Sequence, residues 1–207
     1  MNYIVIDLEF NQPYDFKNNC PAKPNEACPF EIVQIGIVKL NENLEIIGRR
    51  NYYVKPQLYK RIHPYVAKMT GFSVETFENE RTFQQIFKPL SRFIGREKTV
   101  FCTWGGVDIR ELYRNILFYK LGCRKLPKKF IDVQKLVGRF LESGGNCVGL
   151  ENAVEALGIR KTMPFHDALG DAFYAGEMFR MVKPKEVRIQ RVDIKKLKDK
   201  LKLCKQK

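Results

Sequence analysis

The sequence predicts an α/β domain built on a mixed sheet, and three observations predict it. Three short runs rich in β-branched residues fill the first 54 positions, with no helical pattern between them. Helical periodicity takes over from His63. One further strand pattern, KTVFCTW at Lys98 to Trp104, then interrupts the helices, and more helices follow it. That order is the order of a layered α/β domain.

Tyr3 to Phe10 reads as a buried strand. Asn11 to Pro29 carries four prolines and is a long connection, of the length that functional or mobile loops have. Glu31 to Leu40 (EIVQIGIVKL) is a second strand, Asn41-Glu42-Asn43 a turn, and Leu44 to Val54 a third strand. With no helix to carry a crossover, the three form an antiparallel meander. His63 to Thr70 is a short helix that Gly71 caps, and Ser73 to Asn79 a second one. Thr82 caps a helix whose buried face is Phe83, Ile86, Phe87, Leu90, Phe93 and Ile94, with a kink expected at Pro89. After the strand ending at Trp104, Ile109, Leu112, Tyr113, Ile116 and Leu117 give another helical stripe. Asp132 caps a helix through Phe140, Ser143 to Asn146 is a loop, and Gly149 to Leu157 is a helix stopped by Gly158. Met163 to His166 is a loop, and Asp167 to Val182 is a long helix ended before Pro184.

The 207 residues suit one domain with a sizeable core. Fifteen Phe and nine Tyr exclude a disordered chain, and the absence of periodic glycine excludes a collagen-like one. No apolar run approaches the ~18 residues of a membrane span. Asp7 and Glu9 break the short apolar run of MNYIVIDLEF, and no basic stretch precedes it, so a signal peptide is not expected. The six cysteines form no CxxC pair and have no His at zinc spacing. Free, mostly buried thiols and a cytoplasmic location are the expectation. The formal charge is +14 and points to a polyanionic partner. It divides unevenly: residues 183–207 carry net +8 and the rest of the chain net +6.

Three segments place a carboxylate where the apolar pattern wants something greasy. In Ile4-Val5-Ile6-Asp7-Leu8-Glu9-Phe10, strand alternation projects Asp7 and Glu9 to one face. Adjacent carboxylates repel, so either a hard divalent cation sits between them or one is protonated. The other reading ends the strand at Ile6 and leaves both acids solvated. In Thr103-Trp104-Gly105-Gly106-Val107-Asp108, glycines turn the chain and Asp108 opens a helix, as a cap or as a further ligand. In Phe165-His166-Asp167-Ala168-Leu169-Gly170-Asp171-Ala172, the small residues around Asp171 permit close approach to another layer. Five residues of helix turn about 140° beyond a full turn, so His166 and Asp171 converge only if His166 lies on the preceding loop.

Together these segments resemble the DEDDh superfamily of 3′→5′ exonucleases. Asp7-x-Glu9 looks like its first motif, Asp108 its second, and His166-x4-Asp171 its third. The tyrosine subgroup places Tyr where this chain has Asp167. Phe30 to Gly36, Tyr53-Val54-Lys55-Pro56, Met69-Thr70-Gly71 and Thr103 to Asp108 resemble the branch of the histone-mRNA 3′ exonucleases, the enhanced-RNAi exonucleases and the bacterial KapD-type proteins. The resemblance implies a ribonuclease H-like fold: three antiparallel N-terminal strands plus parallel strands, flanked by helices. It covers residues 1–182 as an exonuclease domain and leaves 183–207 as a basic tail.

The resemblance also implies a mechanism. Two Mg²⁺ or Mn²⁺ ions are expected, with Asp7 bridging them, Glu9 and Asp171 completing the site of the attacking water, and Asp108 supporting the second ion. His166 is the expected general base, since an imidazole can accept a proton near neutral pH. The backbone around Phe10 and the Met69-Thr70 turn are expected to hold the last nucleotide, with Phe10, Met69 and Trp104 flanking its base; the other reading makes these three core residues, and for Trp104 the core reading is favoured. The expected partner is nucleic acid with a free 3′ end, RNA before DNA, releasing nucleoside 5′-monophosphates. The alternatives are the same chemistry on single-stranded DNA, or a nucleic-acid-binding regulator with a weak site. In the tail, Ile194, Leu197 and Leu201 at helical spacing among lysines suit RNA phosphate, an acidic membrane, or a solvated extension, the last favoured. No membrane partner is expected.

Overall fold

The computed structural model describes residues 1–95, 98–124, 126–144, 147–182 and 188–204. Its centre is a six-stranded mixed sheet. Strand β1 (Asn2–Asn11) pairs antiparallel with β4 (Glu31–Leu40), and β4 with β5 (Ile46–Tyr53). This is the expected meander. On the other side of β1, β6 (Thr99–Thr103) and β7 (Lys129–Asp132) run parallel to it. The edge strand β8 (Ile189–Arg191) closes the order β5-β4-β1-β6-β7-β8. Inside the long first connection, β2 (Tyr14–Asp15) and β3 (Cys20–Pro21) form a small separate ribbon.

Helices cover both faces. One core packs Ile4, Ile6 and Leu8 of β1 against α2 (Phe83–Ile94) and α3 (Val107–Phe118). The other packs Val5 with α4 (Val133–Phe140), α5 (Leu150–Ala156) and α6 (Ala168–Val182). A third, smaller cluster seats α1 (Pro64–Thr70). Alternation along β1 therefore puts Asp7 and Glu9 in the row that Val5 begins, on the α6 face.

Local chemistry sets the helix ends. Thr82 and Gln85 form a capping box, the Asp132 side chain accepts from the Lys135 N–H, and Gly71 ends α1 at φ 74°. Helix α2 continues through Pro89. Several expectations are corrected. Ser73 to Asn79 holds only a 3-10 turn at Glu75–Phe77. Asp108 is not the cap of its helix: Gly106 is, and Asp108 lies within the first turn. Of the six free cysteines Cys28 and Cys102 are buried, Cys123 and Cys204 are half-buried, and Cys20 and Cys147 are exposed.

The expected boundary between domain and tail, with Pro184, falls at 183–187, outside the described residues. Beyond it the described residues 188–204 are not a solvated extension. β8 pairs with β7, and Val192 and Leu197 join the α3 core, with α7 (Ile194–Leu203) seated on α3. Among the described residues no helix is long and apolar enough to cross a membrane.

Candidate active site

Asp7 and Glu9 stand near the C-terminal end of β1, where a bulge between Glu9 and Phe10 ends the regular register. Opposite them on β4 are Gly36 and Gln34 respectively. These two partners bring in α6. Gly36 lets the helix touch the sheet: a Cβ there would lie 2.0 Å from the Ala168 carbonyl carbon. The buried Gln34 amide fixes the helix head, accepting from the Ala168 N–H at 3.0 Å and donating to Asp167 Oδ2 at 2.7 Å. Asp167 in turn caps the helix, its Oδ1 accepting from the N–H groups of Leu169 and Gly170. Gly170 lies under the preceding loop, where a Cβ would sit 2.2 Å from the Pro164 carbonyl oxygen.

This clamp delivers Asp171 to the β1 pair. Among the described residues, one group of three metal-capable side chains meets: Asp7, Glu9 and Asp171 offer ligand atoms that all lie within 4.8 Å of one another. Asp171 Oδ2 accepts the His166 backbone N–H at 3.3 Å, while Asp171 Oδ1 is buried with no hydrogen-bond partner. His166 is on the loop before α6, with φ 58° and an exposed side chain, and meets Asp171 through its backbone N–H. Asp108 is buried at the head of α3 and outside the three-residue group, yet its charge is felt there. Asn115 holds α3 in place, donating to the Phe30 carbonyl and accepting from the Ile32 N–H at the start of β4.

The electrostatics are those of crowded acids. Burial, then the charges of Asp108, Asp171 and Glu9, push the Asp7 carboxyl well above the usual carboxylate range. Burial first and neighbouring carboxylates second take Glu9 up to about 8, and burial, opposed by the His166 N–H bond and helped by Asp167, takes Asp171 up to about 7. Burial takes Asp108 up to about 7. An all-oxygen, multiply acidic set with an unpartnered buried oxygen fits a hard divalent cation.

The residues expected to hold a nucleotide lie on separate elements: Phe10 on β1, Met69 and Thr70 at the end of α1, and Trp104 just past β6. Phe10 is half-buried, its ring centroid 5.9 Å from that of Phe30. Met69 and Thr70 end α1, and the Thr70 hydroxyl is engaged with the Val66 carbonyl and the Phe72 N–H. Trp104 packs partly into the α6-side core, with its indole N–H buried and unpartnered.

Gln34, Gly36 and Asp167 are the working residues that sequence reasoning did not assign. The signal for Gln34 was a lone amide inside EIVQIGIVKL. Two more polar side chains, Glu31 and Asn11, anchor the segment leading into α1. The Glu31 carboxylate accepts from the N–H groups of Gln57, Leu58 and Tyr59 and from the Tyr119 hydroxyl. Asn11 bonds the carbonyls of Tyr59 and Arg61 and the His63 N–H.

Residues 4–179 match the exonuclease family model, RNase_T. The chain belongs to that exonuclease family. It is 26% identical over 206 residues to KapD of Bacillus subtilis (strain 168), described as a probable 3′-5′ exonuclease, covering 94% of this chain and 95% of KapD. Its fold is similar to that of the nuclease domain of 3′hExo, a DEDDh family member solved with rAMP bound. The TM-score is 0.75 and the identity 22%, over 92% of this chain and 97% of that one. It is also similar to a 3′-exonuclease whose structure concerns 3′-end-specific recognition of the histone mRNA stem-loop, with TM-score 0.73 and 19% identity, over 93% and 90% of the two chains.

Proposed function

We propose that this exonuclease is a divalent-metal-dependent enzyme that removes nucleotides from the 3′ end of RNA and releases nucleoside 5′-monophosphates. The observation that carries the reading is the convergence of Asp7, Glu9 and Asp171 within 4.8 Å, with Asp171 Oδ1 left without a partner. KapD is described as acting 3′-5′, and the two similar structures concern rAMP and an mRNA 3′ end, which supports both the direction and RNA.

Asp7, Glu9 and Asp171 would hold the cations, two Mg²⁺ or Mn²⁺ ions, with Asp108 supporting the second. When bound, such ions relieve charge on the scissile phosphate and ease ionisation of the attacking water. The protein's own part is positional. Gln34 and Asp167 fix the head of α6, so Asp171 faces β1 in one place. The Asp171 Oδ2 bond to the His166 N–H ties the base to the same carboxylate, and an imidazole nitrogen of His166 takes the water proton. Phe10, Met69, Thr70 and Trp104 border the terminal nucleotide.

The test is digestion of matched 3′-labelled and 5′-labelled RNA and DNA oligomers with Mg²⁺ or Mn²⁺, and with EDTA. Stepwise loss from the 3′ end of RNA, faster than from DNA and stopped by EDTA, is expected. Asp7→Ala should abolish it while leaving the fold intact or slightly stabilised, since carboxylate repulsion is relieved. Full activity of Asp7→Ala with ordinary metal dependence refutes the site. Faster loss from DNA refutes the substrate and leaves the site standing.

A further inference from the structure

We infer that the edge formed by β8 and α7 is a phosphate track that holds the single strand of nucleic acid upstream of its 3′ end. The inference rests on the exonuclease reading above. A cavity of about 460 Å³ lies between α3 and α7, beginning at Gly106, two residues before Asp108. Arg110, Arg114, Lys196 and Lys200 line it. Past Arg191 it adjoins a second hollow with Lys128 and Lys195, and then a third with Lys98, Arg124 and Lys129. Among the described residues, the three share Arg191 and together hold ten Lys or Arg against two carboxylates. Both carboxylates are engaged: Glu111 is almost fully buried against Arg110 and Arg114, and Asp193 caps α7 through the Lys196 N–H.

The band is built rather than incidental. Helix α7 uses its apolar stripe to dock, with Leu197 buried in the α3 core and Ile194 packed beside it. Docking fixes one row of lysines along a groove that starts at the head of α3. Like charges so placed repel one another unless a polyanion lies among them. The same docking disfavours a membrane, because a helix lying on a bilayer must offer its apolar face to lipid. Here that face is spent on α3. The complementary partner is a chain of phosphates reaching from the carboxylate site.

Removing the whole tail cannot test this, since it would strip Val192 and Leu197 from the core. The suitable variant is Arg191→Ala/Lys195→Ala/Lys196→Ala/Lys200→Ala, four exposed positions, keeping Arg110 and Arg114 with Glu111. The control is Lys68→Ala/Arg81→Ala/Lys88→Ala/Arg92→Ala, the same charge removed from exposed positions on the α1 and α2 side. Binding of a fluorescent single-stranded RNA of about 20 nucleotides is measured in EDTA between about 50 and 200 mM salt. The band variant should lower the log–log salt slope by about 0.7 for each phosphate it no longer neutralises, roughly 2–3 in all. The control should leave the slope unchanged, and lysine and arginine swaps at the four band positions should preserve it. Turnover of a trinucleotide should be unchanged. Equal slopes for the unmodified protein and the band variant overturn the track, as does an equal fall in the control. So does binding to phosphatidylserine vesicles that the band variant loses while its RNA binding stays intact. Because binding is read in EDTA, a protein that hydrolyses nothing sinks the exonuclease reading without touching the track.

Discussion

At the end of β1 and the head of α6, half-buried carboxylates are crowded together. Along β8 and α7, cations stand in solvent, each on its own exposed side chain. The first region needs over-determination, because every force among Asp7, Glu9, Asp108 and Asp171 pushes them apart. It is supplied by Gln34, Asp167 and two glycines that admit the helix. The second region needs only a docked apolar stripe, and its exposed charges repel one another only weakly through solvent. Change in the first region should therefore be steep and specific, and change in the second gradual and additive.

His166→Ala should produce the largest effect short of removing a ligand. If its imidazole takes the water proton, the rate falls by about 10²–10⁴. Binding of RNA in Ca²⁺ should hardly move, since the bond to Asp171 is made by the backbone N–H and survives the change. A variant that loses binding and keeps its turnover would make His166 a substrate contact, and the acidic region would then behave as gradually as the basic one.

Gly36→Ala sharpens the comparison by attacking the support instead of the chemistry. The new Cβ meets backbone atoms of Ala168 and Leu169 at 2.0–2.2 Å, which no rotamer change can relieve. Overpacking of this kind costs about 1–3 kcal/mol and occasionally more. Moving the head of α6 also carries Asp171 away from β1. Denaturant unfolding and the rate on RNA should both fall. An alanine variant of unchanged stability and rate would mean that the close contact of α6 with β4 is not what positions the carboxylate.

The two regions also differ in how far the sequence discloses them. Asp7 and Glu9 are legible because strand alternation is local and acids are conspicuous in an apolar run. Gly71, Thr82 and Asp132 are legible for the same reason, since a cap is read within one turn. Gln34 and Gly36 depend on the β1–β4 register, which pairs them with Glu9 and Asp7, 25 and 29 positions away, and nothing near them states which helix they will meet. The strand β7 has four residues and β8 three, too short for any alternation to show. For α7 the amphipathic stripe was plain and its partner was not: the sequence cannot say whether Leu197 faces lipid, solvent or α3. Once that partner is known, the tail stops being an appendage and becomes the edge of the sheet.

The smallest expected effect concerns stability against pH and metal. Glu9, Asp108 and Asp171 titrate at about 7–8 in the folded protein without a cation. An unfolded carboxyl titrates near ~4. Between about pH 4 and 8 the folded chain thus holds more protons than the unfolded one, and its stability falls as pH rises through that window. Below about pH 4 both states are protonated and the dependence from these groups ends. A divalent cation replaces the lost protons, so it should stabilise most at pH 8, where the acids are free to bind it, and least near pH 5, where it competes with protons. At a hundredfold excess over Kd the gain is about 2.7 kcal/mol. For a chain of this size that is a Tm rise of roughly 5–10 °C, at about 2–4 °C per kcal/mol. Asp7→Asn should flatten both the pH dependence and the response to Mn²⁺, whereas the four-alanine variant of the basic edge should keep both. Thermal melts over a grid of pH and Mn²⁺ read all three proteins at once. A Mn²⁺ response that is the same at pH 5 and pH 8, or that survives Asp7→Asn, would place the cation somewhere other than among these carboxylates.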